Sequence, residues 1–197
     1  YIKAAATPPR VFLSASAVGY YGADRTDLLT EKDPGGQDFP AQVCIAWEKA
    51  ADGAPCRTVK MRIGIVLGKD GGAMQQMLPV YKTYLGGRFG SGKQGFPWIH
   101  IDDIVGAIRF CIENESLSGP VNLVAPETVD QAGFSARLAR SLGKIDPFIV
   151  PEFLLKLVMG EQSVLFTGGQ RASAQKLTGA GYTFKHPQLN AALADIV

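Results

Sequence analysis

The chain has 197 residues, with 20 Lys and Arg against 18 Asp and Glu, and neither charge is gathered into a long run. Nucleic-acid binding through phosphate neutralisation requires a basic stripe, which this sequence lacks, so no nucleic-acid partner is expected. No apolar stretch reaches the roughly 18–20 residues that span a bilayer, so no membrane association is expected either.

The cysteine and histidine content argues against disulfides and metal sites. Cys44, Cys56 and Cys111 are odd in number and lie in apolar contexts, which favours reduced core thiols in a cytosol-like compartment. The two histidines show no ligand spacing relative to the cysteines, so no metal is expected. We therefore expect a cytoplasmic protein, or an organellar one if a transit peptide precedes Tyr1.

The first elements predict an α/β fold, because strand and helix patterns alternate. Val11–Leu13 is a continuous apolar run between small residues, as expected for a central parallel strand that is buried on both faces. Asp38 can cap a helix from Phe39 to Ala51. The buried face predicted for this helix consists of Val43, Trp47 and Ala50.

A second strand and helix follow. The strand is predicted from Cys56 to Leu67, and Gly71-Gly72 then opens a helix that Pro79 should kink. The apolar residues of this helix recur at helical spacing: Met74, Met77, Leu78, Tyr81 and Leu85. The next segment, Gly86 to Gly95, is half glycine and is interpreted either as a flexible substrate-side lid carrying Arg88 or as plain turns.

Two further βα units complete the pattern. Trp98–Ile101 leads into Asp102-Asp103, an acidic pair that predicts a helix start. The core stripe predicted on that helix is Ile104, Val105, Ile108, Cys111 and Ile112. Val121–Val124 is a short strand, and Asp130 caps a helix. That helix is predicted to direct Phe134, Leu138 and Leu142 inward.

The sequence pattern changes near Pro147. Beyond this residue, short segments are separated by glycines, and Phe153 to Val158 is strongly apolar. We therefore predict an α/β domain over residues 1–146 and a small, mainly helical C-terminal subdomain over residues 147–197.

Several segments, in their order along the chain, carry a resemblance to a known family. Ser14–Gly22, Met61–Gly68, Trp98–Ile104 and Val121–Ala125 resemble segments of extended short-chain dehydrogenase/reductases, the NAD-dependent epimerase/dehydratase-like group. Parts of the region from Gly160 to Phe184 resemble the C-terminal helical domain of one branch whose substrate is unassigned. Together these segments cover nearly the whole chain.

The resemblance implies a Rossmann-like, doubly wound parallel sheet that binds NADP or NAD and acts on a small molecule with a carbonyl or hydroxyl group. It also implies that the chain corresponds to the C-terminal two-thirds of such a protein, so that the glycine-rich cofactor motif would precede it. The chain alone is therefore expected to bind dinucleotide weakly or not at all. Such proteins often pair through two long helices, which makes a homodimer through Phe39–Ala51 one expected assembly.

This sequence differs from the family pattern at the residues that carry out acid–base chemistry. In the family, a Tyr whose pKa is lowered by a Lys four residues later transfers the proton. Anchoring the resemblance on Glu48 places Pro40 at the Tyr position and Cys44 at the Lys position, and neither side chain can serve. The catalytic candidates that remain are Ser16, which would hold the substrate oxygen, and Tyr20, the phenol placed to replace the missing one.

The resemblance also implies binding residues. Those expected near the cofactor are Ser14, Ala15, Ser16, Arg62 and Ile63. Those expected near the substrate are Tyr20, Arg88, Trp98 and His100. Each has a structural alternative. Arg62 would pair with a carboxylate such as Glu31, and His100 would order the helix start near Asp103. The others would pack at a strand end, in the core or against the C-terminal subdomain.

Three functions remain open from the sequence. The first is an NAD(P)(H)-dependent oxidoreductase or epimerase that lacks the usual Tyr/Lys pair. The second is a cofactor-binding module with little or no turnover, which would serve in regulation or partner binding. The third is a structural interaction domain without cofactor. The resemblance favours the first two, although fold alone does not determine function.

Overall fold

The structure is a computed structural model that describes residues 7–23, 25–83, 86–145, 148–151, 153 and 168–197. The strands are β1 (Val11–Ala17), β2 (Leu28–Leu29), β3 (Arg57–Ile63), β4 (Ile65–Gly68), β5 (Gly87–Phe89), β6 (Trp98–His100), β7 (Gly119–Leu123), β8 (Phe148–Val150) and β9 (Arg171–Ala172). The helices are α1 (Phe39–Ala51), α2 (Gly72–Lys82), α3 (Ile101–Glu113), α4 (Gln131–Ser141), α5 (Gln175–Gly179) and α6 (Leu189–Ile196).

The central sheet is parallel, as the sequence predicts. It has three strands in the order β1-β3-β7. The register places Ser16 beside Arg62 and Arg62 beside Asn122, in one row across the sheet. Because parallel strands end at the same edge, the residues that follow β1, β3 and β7 meet there, where ligands of such sheets bind.

Three parallel strand pairs extend the fold: β4 with β6, β2 with β9, and β5 with β8. Two of these pairs join a strand after residue 147 to a strand before it. The described C-terminal residues therefore contribute strands as well as the helices α5 and α6. The predicted boundary at residues 146/147 stays a prediction, and most of the apolar segment from Phe153 to Val158 lies outside the described residues.

The predicted strand from Cys56 to Leu67 is in fact two strands, because the chain turns at Gly64. The backbone N–H of Gly64 donates to Leu123 O in the central sheet at 3.1 Å, and the next N–H, of Ile65, donates to Pro97 O at 2.7 Å. A Cβ atom on Gly64 would lie 2.6 Å from Pro97 O. Glycine is thus required where β3 leaves the central sheet and β4 joins β6.

The burial predicted for β1 is too high. Val11, Phe12 and Leu13 are only half-buried, because β1 is an edge strand of the central sheet among the described residues. The segment from Gly86 to Gly95 also differs from a plain loop, since it contains β5, and Gly95 forms an antiparallel bridge with Asp130.

Helix α1 has the predicted bounds, and the side chain of Asp38 caps it by accepting from Ala41 N at 2.9 Å. Its buried face, however, is Ala41, Cys44, Glu48 and Ala51. Trp47 is 55% exposed. The prediction from apolar residues is wrong for this helix, because Glu48 is buried by its ion pair with Arg62 of β3 and this pair sets which face of the helix is buried.

In helix α3 the buried face also differs from the predicted one. Its buried apolar residues are Ile104, Ala107 and Cys111, whereas Val105 and Ile112 are exposed. The cap also differs from the prediction. His100, not the acidic pair, caps the helix, because its Nδ1 accepts from Asp102 N at 3.2 Å.

The prediction for α4 is confirmed in its cap and two of its three core residues. Asp130 accepts from Gly133 N at 2.7 Å, and Phe134 and Leu138 are buried. Together with Leu189 and Leu193 of α6 they belong to a second apolar cluster, separate from the one beneath the central sheet. Among the described residues, no helix combines the length and apolar character needed to cross a bilayer.

We predict that Gly64→Ala destabilises the fold by about 1–3 kcal/mol, the usual cost of inserting a methyl group into a packed site. Its Cβ would meet Pro97 O at 2.6 Å and Val124 Cγ1 at 2.9 Å. Urea unfolding measures the change. Gly179→Ala is the matched control, since nothing lies within 4 Å of its Cβ position. Equal unfolding midpoints for the two variants would show that the bend at Gly64 does not require glycine.

Candidate functional site

A cavity of about 430 Å³ lies at the carboxyl ends of β1 and β3. Its floor includes Ala17, Val18, Ile63 and Gly64, where these two strands end. This is the edge at which a doubly wound sheet binds its ligand. The cavity is therefore the candidate functional site.

One wall of the cavity is the start of α1. Asp38, Pro40 and Cys44 line it, so both positions that the resemblance assigns to the Tyr/Lys pair face the cavity. Neither residue supplies the chemistry that the resemblance implies for such a pair. A proline has no ionisable group, and a thiol carries no positive charge that would lower the pKa of a phenol.

Another part of the lining comes from the C-terminal residues. Gly169 N donates to Ala23 O at 3.1 Å, and Gln170 Nε2 donates to Gly22 O at 2.8 Å. A Cβ atom on Gly169 would lie 2.2 Å from Gly95 O, so the glycine permits a close backbone approach. Residues 168–170 thereby reach the cavity. The sequence marked the glycines here only as a break, and nothing local indicated their place at the site.

Two further glutamines give the cavity fixed, uncharged polar groups. Gln131 Oε1 accepts from Phe89 N at 2.9 Å, and Gln94 Nε2 donates to Phe89 O at 3.1 Å. Both side chains therefore hold β5 against the cavity that they line. Sequence reasoning missed Gln131, because its role depends on the position of β5.

Behind the cavity lies a buried polar cluster centred on an ion pair. Arg62 donates from Nε to Glu48 Oε1 at 2.8 Å and from Nη2 to Glu48 Oε2 at 2.9 Å. Ser16 Oγ donates to the same Oε1 at 2.9 Å. Arg62 is 2% exposed and Glu48 is 5% exposed. This two-point geometry is the strongest arrangement between guanidinium and carboxylate.

The cluster continues through aromatic residues to β7. Arg62 Nη1 donates to Tyr21 Oη at 3.0 Å, and Tyr21 Oη donates to Asn122 Oδ1 at 2.7 Å. The guanidinium carbon of Arg62 lies 3.4 Å from the ring centroid of Tyr20. Asn122 Nδ2 donates to Ser173 O at 3.1 Å, which brings the C-terminal residues into the cluster.

Burial and charge act in opposite directions on these groups. Burial opposes the charge on Arg62, yet its hydrogen bonds to Glu48 and Tyr21 hold the pKa of the guanidinium above its usual value. Burial raises the pKa of the Tyr21 phenol although Arg62 acts to lower it. Arg62 therefore remains a cation whose charge is neutralised within the protein.

The structure brings Ser16, Tyr20 and Arg62 together, but around Glu48 rather than around the cavity. None of the three is among the described residues that line the cavity. The partner of Arg62 is Glu48 and not Glu31, whose Oε1 instead accepts from Asn122 N at 2.8 Å.

Ile63 is the one predicted cofactor residue that lines the cavity. Ser14 and Ala15 lie further back along β1, beside Lys60 and Met61 of β3. The expected cofactor roles of these two residues stay predictions.

The predicted substrate residues other than Tyr20 are dispersed. Trp98 is 1% exposed, and its Nε1 donates to Glu127 O at 3.1 Å. Arg88 is exposed on β5. His100 is buried at the start of α3, where it stacks on His186 with ring centroids 3.9 Å apart. None of these three belongs to the described lining of the cavity.

Comparison with known proteins now identifies the family. Residues 150–196 match a domain of unknown function (DUF1731). The chain is 37% identical over 200 residues to the epimerase family protein SDR39U1 of Mus musculus, covering all of this chain and 68% of that protein. The chain belongs to this epimerase family.

A solved structure and a plant protein of the same family are also similar to this chain. The crystal structure of human epimerase family protein SDR39U1 (isoform 2) with NADPH superposes with a TM-score of 0.94 at 35% identity, over 99% of this chain and 68% of that one. The chloroplastic SDR39U1 homologue of Arabidopsis thaliana is 39% identical over 96% of this chain and 55% of that protein. The chain thus spans about half to two-thirds of the length of these relatives.

We predict that the buried ion pair behaves as one unit. Arg62→Met or Glu48→Leu alone should destabilise the fold by about 3–5 kcal/mol, because each leaves a buried charge without its partner. The double variant should cost clearly less than the sum. Urea unfolding of the four proteins measures the coupling.

A surface ion pair provides the control for this cycle. Arg109 and Glu113 lie 2.8 Å apart with both side chains exposed, so Arg109→Ala should unfold close to the parent chain. Additive costs for Arg62→Met and Glu48→Leu would show that the pair is not the centre of the cluster.

We also predict that Cys44 is a slow thiol. Burial raises its pKa against smaller opposing effects of Ala17 and Ser16, and burial likewise raises the pKa of Cys111. Half-buried Cys56 should therefore react first with iodoacetamide, and Cys44 should gain reactivity only above the ordinary thiol pKa of about 8.5. Peptide mass spectrometry over a pH series measures the three rates. Labelling of Cys44 at neutral pH as fast as that of Cys56 would instead identify an activated thiol.

Proposed function

We propose that the chain forms the nicotinamide and substrate side of an NADP(H)-binding protein of the epimerase family. The observation that carries the proposal is the cavity of about 430 Å³ at the carboxyl ends of β1 and β3, with Ile63 and Gly64 in its lining. The human relative crystallised with NADPH supports the choice of cofactor. The reaction proposed is interconversion of a carbonyl and a hydroxyl group of a small molecule, or epimerisation at a carbon that carries a hydroxyl.

The chemistry of the cavity wall limits how a proton would be transferred. Among the described lining residues, Asp38 and Cys44 are the ionisable ones. The carboxylate of Asp38 already accepts from Ala41 N at 2.9 Å and from Ala23 N at 2.7 Å, so both of its oxygens are engaged by the backbone. A general acid or base would need a pKa near the working pH, which a buried thiol with a raised pKa does not provide.

This limitation favours a second candidate function. A protein that binds NADP(H) in this cavity but transfers hydride slowly, or not at all, would act as a cofactor-responsive regulatory or partner-binding module. The specific observation in its favour is the pair Pro40 and Cys44, which face the cavity at the positions of the missing acid–base residues. The two functions share the cofactor and differ in turnover.

The cofactor is tested by titrating NADPH fluorescence with this chain and with human SDR39U1. We predict weaker binding by this chain, because the pyrophosphate grip of such a fold lies in a glycine-rich first βα unit that its sequence does not contain. Equal micromolar affinity for both proteins would contradict this expectation. NADPH binding by the chain that a cavity-filling substitution leaves unchanged would count against the cavity as a nicotinamide site.

A pair of variants locates the binding. Ala73 of α2 lines the cavity, so Ala73→Phe should fill it and weaken NADPH binding by at least about tenfold. Ala46 is exposed on α1, and Ala46→Phe is the matched control that should bind as the parent does. NADPH oxidation with a panel of aldehydes and ketones then tests for a reductase, which consumes the cofactor. An epimerase regenerates its cofactor, so it is detected by the appearance of the inverted product, and a binding module gives neither signal.

A further inference from the structure

A second cavity, of about 410 Å³, lies away from the first, beside the start of α3 and the end of α6. The charged residues that line it are Lys69, Asp70, Asp102 and Asp195, so carboxylates outnumber ammonium groups. His100 also lines it. An acidic lining alone is common on protein surfaces, and the buried His100 is what distinguishes this cavity.

His100 packs against His186, the other histidine of the chain, with ring centroids 3.9 Å apart, and both are buried. His100 is 1% exposed and His186 is 7% exposed. Their Nε2 atoms are buried and have no hydrogen-bond partner within the described part of the chain. Buried polar atoms in native proteins are almost always paired, so two adjacent unpaired imidazole nitrogens point to a ligand.

Carboxylate oxygens lie close to both nitrogens. Asp102 Oδ2 is 3.9 Å from His186 Nε2, and Asp195 Oδ2 is 3.4 Å from His100 Nε2. Donor atoms of His100, His186 and Asp102 all lie within 4.8 Å of one another. Zinc binds nitrogen and oxygen at about 2.0–2.2 Å, so two donors of one ion lie at most about 4.4 Å apart. Small side-chain rotations would bring the three donors into that range.

We propose that His100 Nε2, His186 Nε2 and Asp102 form a binding site for a divalent transition-metal ion, with Zn²⁺ as the preferred ion. Imidazole with carboxylate is a ligand set that suits zinc, whereas magnesium and calcium prefer oxygen alone. Asp195 of α6 lies outside this three-residue group, with its Oδ2 3.4 Å from His100 Nε2. The ion joins the start of α3 to the C-terminal residues, which explains why spacing along the sequence gave no sign of it.

Binding requires one proton to move. His100 Nδ1 accepts from Asp102 N at 3.2 Å, so the neutral ring carries its proton on Nε2. When Zn²⁺ takes the Nε2 lone pair, that proton passes through solvent to Nδ1 and the ring remains neutral. The backbone N–H of Asp102 then loses its hydrogen bond to His100 Nδ1 and donates to water instead. Lys185, whose Nζ lies 2.5 Å from Asp102 Oδ2, remains beside the carboxylate or is displaced by the ion.

The test titrates the chelator-treated chain with Zn²⁺ in competition with a chromophoric chelator. We expect one ion per chain and an affinity that falls by at least about 100-fold in His186→Asn and in Asp102→Asn. Asp27→Asn is the matched control, because Asp27 is an exposed carboxylate outside this cavity. Stoichiometric binding that both variants leave unchanged would overturn the proposal, as would no binding by the parent chain at micromolar Zn²⁺.

Two readouts on the parent chain do not depend on the folding of any variant. Long-range ¹H–¹⁵N spectra should show the His100 proton on Nε2 before Zn²⁺ is added and on Nδ1 afterwards, and the chain has only two histidines to assign. Co²⁺ in place of Zn²⁺ should give a visible spectrum without sulfur-to-cobalt charge transfer. Unmoved imidazole nitrogens, or a thiolate band from a site at the cysteines, would refute the site.

Discussion

The bidentate ion pair between Arg62 and Glu48 is the interaction on which the arrangement of this fold depends. A buried charge is tolerated only where its partner is held in place, so Glu48 must face β3 and Arg62 must point toward α1. The same pair binds Ser16 of β1 and Tyr21, and through Tyr21 it reaches Asn122 of β7. One polar cluster thereby fixes the relative positions of a helix and three strands.

That constraint determines which residues of α1 face the cavity. Cys44 and Pro40 precede Glu48 by one and two helical turns, so they lie on the same face of the helix. Once Glu48 is held by Arg62, these two residues must lie beside the strand ends. The helix therefore turns an uncharged face toward the cavity at Pro40 and Cys44, while the charges of Arg62 and Glu48 are paired with each other outside the lining of the cavity.

The sequence predicted what depends on local chemistry. The bounds of α1 and the cap of α4 follow from Asp38 and Asp130, whose carboxylates accept from backbone three residues later. What could not be predicted depends on distant partners. The buried face of α1 follows from Arg62, and the place of residues 168–170 at the cavity follows from contacts with Gly95.

The C-terminal residues connect the two cavities. Residues 168–170 form part of the first, and Asp195 of α6 lines the second. Between them, Leu189 and Leu193 of α6 share an apolar cluster with α4, whose first residue, Gln131, holds β5 at the first cavity. An ion bound at His186 would restrain α6, and α6 in turn supports α4. Order gained at the second cavity would therefore reach the first through the packing of α6 on α4 and the hydrogen bond of Gln131 to β5.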